Sequence, residues 1–131
     1  MIPKINVYDD GLAWQSHAYH LTARQKKLTI TNQAFDGTFF LVEIFVGGRI
    51  LPHAQPQIEL LFCLEGTGSL SLGKAHTQLN RGDVLQLPAE VVRGLVNEGE
   101  QILRLLVIRT EVKEPQIELK EWVKGWWGGR F

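Results

Sequence analysis

Cysteine is nearly absent from this sequence: Cys63 is the only one, so no disulfide can form within the chain and no paired-cysteine metal site is available. Its neighbours Leu61, Phe62 and Leu64 are apolar, which marks the thiol for the core. Surplus charge is absent too. Fourteen lysines and arginines balance fourteen aspartates and glutamates. No excess positive charge is left to neutralise a phosphate backbone, so nucleic acid is not an expected partner. Long apolar runs are missing as well: none approaches the ~20 residues of a membrane-spanning helix. The opening Met1–Asn6 lacks the charged segment and apolar stretch of a secretory leader. These absences set the expectation of a cytoplasmic protein with no membrane partner. Disorder is excluded by what is present, because 44% hydrophobic residues and 21% charged residues are the proportions of a globular chain. A length of 131 residues suits a single domain with one core.

Within that domain the pattern is one of short extended runs. Phe39–Val46 is almost wholly aromatic, β-branched or aliphatic, with Glu43 as the exception, which suits a strand buried on both faces. Further runs cover 58–65, 69–73, 76–79, 84–87, 91–97 and 101–110. Turn-forming groups such as Gly66-Thr67-Gly68, Gly73-Lys74, Asn80-Arg81-Gly82-Asp83 and Asn97-Glu98-Gly99 bound them. No segment of helical period interrupts the series. The reading is all-β, a sandwich or barrel over about 38–110, with an amino-terminal arm (1–27) and a carboxy-terminal tail (111–131). The tail's Trp122, Trp126 and Trp127 suit a flap on the barrel or an interface, and 115–127 is open between helix and strand.

Chemistry concentrates at His53, Gln55 and Glu59. In an extended chain these share one face, which Leu61 and Cys63 continue as apolar. Pro52 and Pro56 put a bend or an edge nearby. Polar groups on an inner face need partners or a ligand. His17 and His20 precede this region and read as ordinary surface or partly buried histidines, and His76 as a solvated hairpin residue.

The spacing of Gly47, His53, Glu59 and Gly66, followed by Gly82, Pro88 and Asn97, resembles the two motifs of the cupin superfamily. Gln55 stands where the first motif has a second histidine. Glu90 and Arg93 stand where the second has glycine and histidine. The resemblance implies a double-stranded β-helix, the jelly-roll barrel, and a site where His53, Gln55, Glu59 and Arg93 converge. In that family two histidines, a glutamate and a later histidine hold a metal. Here His53, Gln55 and Glu59 remain as candidate ligands, while Arg93 has no lone pair to give and repels a divalent ion.

The leading expectation is therefore a small-molecule site with no obligatory cofactor. In it His53, Glu59 and Arg93 are the candidate catalytic groups, and Gln55 and Arg93 the candidate ligand-binding groups. The chemistry would be that of an isomerase, epimerase or lyase acting on a small anionic or sugar-like substrate. One alternative is a divalent-metal enzyme such as a dioxygenase, using His53, Gln55 and Glu59. Another is a non-catalytic ligand-binding or sensor module. Edge strands and the tryptophan-rich tail add the expectation of a homodimer.

Overall fold

The computed structural model describes Asn6, Tyr8, residues 11–31 and residues 36–110. Eight strands and no helix make up the described residues: β1 (His20–Thr31), β2 (Asp36–His53), β3 (Ile58–Glu65), β4 (Gly68–Leu72), β5 (Ala75–Leu79), β6 (Val84–Leu87), β7 (Arg93–Val96) and β8 (Leu103–Thr110). The tail proposed as a flap lies outside the described residues.

All ladders are antiparallel, in the order β5-β4-β7-β2-β8-β3-β6, with β1 also on β2. The architecture turns on the 18-residue β2. Along one side it carries β1, from Thr31↔Asp36 to His20↔Ile50. Along the other, its first half pairs with β8 (Gly37↔Thr110 to Ile44↔Leu103) and its second half with β7 (Arg49↔Val96 to His53↔Arg93). One strand thus feeds two half-sheets, β8-β3-β6 and β7-β4-β5, which curl over each other.

Phe40, Ile44, Leu61, Leu70, Leu79, Leu95 and Leu105, drawn from both halves, form one buried cluster. Burial of that apolar surface is the main stabilising term, at about 1.5–3 kcal/mol for each large side chain. The alternation expected for half-buried strands is clear in β8, where Leu103, Leu105 and Val107 point inward.

The sequence reading ended the second strand's run near Val46, but β2 continues to His53. It does so because Gly48 lets β1 cross closely: a side chain there would come within 2.9 Å of the Leu21 carbonyl oxygen. Pro52, which cannot donate to a ladder, falls at the register break between Ile50 and His53. The end of the amino-terminal arm, from His20, is the first part of strand β1. Upstream of it Gln15 folds back to pair with Gln25. At the β3–β4 turn Gly66 has φ +86°, and a Cβ would meet the Ile102 carbonyl oxygen at 2.5 Å.

Candidate functional site

Glu59 is the centre of the site. It sits on β3 opposite Arg109 of β8 on one side and Leu87 of β6 on the other, and is only 5% exposed. A carboxylate this deep must be paired. Both oxygens are: Arg93 donates from Nη1 to Oε1 at 2.7 Å, and Arg109 donates from Nε and Nη2 to Oε2 at 3.2 and 3.0 Å.

Arg93, on β7 and 4% exposed, spends its remaining donors on its own loop. Nε and Nη2 donate to the Val91 carbonyl at 3.1 and 2.9 Å, and Nη2 also donates to the carbonyl of Pro88. Each of its donor nitrogens is therefore engaged. The sequence reading assigned Arg93 the binding of a substrate anion; its bonds to Glu59, Val91 and Pro88 leave only the second Nη1 hydrogen without a partner among the described residues. Arg109 is placed differently. It is 27% exposed at its side chain, packs its guanidinium over Phe40 at 4.7 Å, and its Nη1 has no protein partner among the described residues.

His53 is the cross-strand partner of Arg93. Its Nδ1 lies 2.8 Å from the Leu51 carbonyl oxygen. A carbonyl only accepts, so Nδ1 carries the proton and Nε2 keeps its lone pair in the neutral ring. Tyr19 stacks on the ring at 4.4 Å with an interplanar angle of 3°. The fold-back at Gln15 also brings His17 within 5.3 Å of His20 and 6.4 Å of His53, centroid to centroid. Burial, followed by the nearby His17 and His53, pushes the His20 pKa down to about 4. The ring is thus neutral at pH 7, and its buried Nδ1 has no hydrogen-bond partner among the described residues.

Two adjoining chambers result. An inner one of about 60 Å³ has apolar walls, including Val42, Leu61, Leu87, Leu95 and Val107, with Glu59, Arg93 and Arg109 as its polar groups beside His20 and His53. An outer vestibule of about 240 Å³ is lined by Gln15, Ser16, His17, Lys27 and Gln55. His20, Gln25, Phe40, His53 and Arg109 border both. His53, Glu59 and Arg93 thus converge as expected of the motif, whereas Gln55 lies in the β2–β3 loop and reaches only the vestibule. His20 and Arg109 were not foreseen. Arg109 continues the inward row Leu103, Leu105, Val107 at a spacing of two, a signal present in the sequence. His20 is brought in by the arm's fold-back, which no local pattern announces.

The residues do not fit the divalent metal of the motif. Glu59 has each oxygen committed to a guanidinium, Gln55 is apart from it, and two fixed positive charges face any incoming cation. Among the described residues no group of three or more histidine, cysteine, aspartate or glutamate side chains is arranged to hold a metal ion.

A curled antiparallel barrel with motif residues facing its interior defines a cupin-type domain. The family model for the cupin domain matches residues 40–109, more than half of the chain, and the protein belongs to that family. Similar solved structures include a polyketide cyclase, RemF, from Streptomyces resistomycificus (20% identity, TM-score 0.71, covering 84% of this chain and 80% of that one). A cupin-like protein from Thermotoga maritima shares 25% identity at TM-score 0.67, covering 76% and 77%. A cupin-2 domain from Rhodospirillum rubrum shares 14% at TM-score 0.70, covering 87% and 78%. No curated protein matches the chain.

Proposed function

We propose that this cupin domain binds a small organic anion inside its barrel without a metal, and that His53 and His20 are the groups able to move a proton on it. The observation that carries the reading is a charge imbalance. Glu59 is the only acid among the described residues that line either chamber, and it stands between Arg93 and Arg109, which leaves one positive charge of that trio without a counter-ion among the described residues. A partly enclosed site with a net positive charge attracts a ligand of opposite sign. Arg109, which borders both chambers and whose Nη1 has no partner among the described residues, is the receptor for the anion. Arg93 holds Glu59 in place, and Glu59 in turn fixes Arg109.

Proton transfer is available on the same ligand. The His53 Nε2 lone pair is that of a general base, held in one tautomer by the Leu51 carbonyl. His20, neutral and with Nδ1 unpartnered among the described residues, serves as its neighbour. Such an arrangement supports isomerisation or elimination next to a carboxylate, the class of chemistry expected from the sequence.

The test is a titration with sodium acetate followed by amide NMR. Shifts are expected to cluster on β7, β8 and residues 50–53 in the wild type, and to shrink at least tenfold in apparent affinity in Arg109→Gln, where Arg93 still pairs Glu59. An Arg109→Gln protein that binds acetate as well as the wild type overturns the assignment.

A further inference from the structure

The two chambers differ in character, and the difference narrows the ligand. Given the anion reading above, on which this inference rests, the remaining question is what else the ligand carries. The inner chamber is small and its walls are mainly apolar; Glu59, Arg93 and Arg109 are largely engaged, and what remains for a ligand is one Nη1 hydrogen of Arg93, the Arg109 Nη1, the Gln25 amide and the two imidazoles at its border. A polyol placed there leaves hydroxyls without partners, each a loss of about 1–3 kcal/mol in mutational terms. Alkyl carbons lose nothing. The vestibule is the reverse. It is four times the volume, rich in donors, and presents Lys27 and Arg109 with no carboxylate among its described lining residues.

We propose that the pair of chambers selects a short unbranched aliphatic oxyanion, with its charged head in the vestibule on Arg109 and Lys27 and its tail in the inner chamber. The sugar-like substrates left open by the sequence are disfavoured by those walls. The head group is a carboxylate or a phosphate monoester, which share the same recognition by guanidinium and ammonium.

The head and tail make separate predictions. Each methylene that enters an apolar chamber adds about fourfold in affinity, and the gain ends when the chamber is full. Lys27→Glu acts on the head alone, weakening every member of a series by a similar factor. Val107→Leu narrows the tail chamber without touching a polar group, and so shortens the rise with chain length.

Calorimetric titration with acetate, butyrate, hexanoate and octanoate, and with butyl phosphate and gluconate, tests this. Expected is an affinity that climbs from acetate and levels off before octanoate, an earlier plateau in Val107→Leu, and a uniform drop in Lys27→Glu. Butyl phosphate against butyrate identifies the head. Gluconate binding more tightly than butyrate, or no dependence on chain length, overturns the tail assignment while leaving the anion reading standing. Failure of every anion, acetate included, overturns both. Circular dichroism of each variant confirms that the barrel is intact before its affinity is compared.

Discussion

Two guanidiniums on one buried carboxylate make Glu59 the most constrained group in the barrel. Removing Arg93 leaves Oε1 of Glu59 and the carbonyls of Pro88 and Val91 without their donors. Loss of one partner from a buried pair costs about 3–5 kcal/mol. Arg109 retains a hold on Oε2, so Arg93→Ala should fall near the lower end of that range in chemical denaturation. A loss under ~1 kcal/mol, the worth of an exposed pair, contradicts the buried geometry. Asn97 is a second buried polar group whose role is structural: Nδ2 donates to the carbonyls of Ile44 and Gln101, and Oδ1 accepts from the Gly99 amide. It ties the β7–β8 turn to β2. Glu90 carries a strain, since its φ of +66° lies in the left-handed region that favours glycine, the residue the cupin motif has at this position. Glu90→Gly should therefore raise stability by about 0.5–1 kcal/mol, read as a shift in denaturation midpoint at unchanged slope. A lower midpoint contradicts the strain.

The strands show why some of the site was legible and some was not. Period-two alternation and turn chemistry gave the runs of β3, β4, β5, β6 and β8 nearly to their ends, because these depend on neighbours in sequence. The motif spacing located His53, Glu59 and Arg93. β1 was not legible: its alternation is broken by Arg24, Lys26 and Lys27. These charges have distant partners: Arg24, 40% exposed at its side chain, pairs Glu43 at 2.7 Å and lies over Trp14 at 3.8 Å. Glu43, the odd residue in its apolar run, is explained by the same contacts together with Arg104. Burial alone raises its pKa, but the hydrogen bonds from Arg104 and Arg24 outweigh that and lower it.

The arm that carries His17, Tyr19 and His20 to the site brings an acid sensitivity. His20 titrates at about 4 when folded and near 6.5 when free. Between these values the unfolded chain binds more protons, so stability falls as pH drops from 6.5 toward 4. His17 and His53, the charged neighbours that act on the ring, offer no negative charge to offset its protonation. Urea midpoints measured from pH 7 to 4 should decline less in His20→Asn than in the wild type. Parallel declines show that the acid loss arises elsewhere, as at Glu43 below pH 4.5.

At the scale of the molecule, one barrel with balanced overall charge encloses a site that is locally positive. Among the described residues no helix is long and apolar enough to cross a membrane. Exposed Val46, Phe62, Val92 and Val96, with the edges of β5 and β6, keep the homodimer a proposal that sedimentation at micromolar concentration decides. The proposal that the Arg93 guanidinium stands in place of a metal is the one from which the rest of the account follows, and its most direct test is manganese binding by the wild type and Arg93→His, titrated side by side. Manganese suits a carboxylate and imidazole set. Arg93→His restores a lone pair opposite Glu59 and removes a repelling charge, so its affinity should exceed that of the wild type at least tenfold, about 1.4 kcal/mol. Equal affinities, or a wild type that takes up stoichiometric manganese as tightly as the variant, contradict the account.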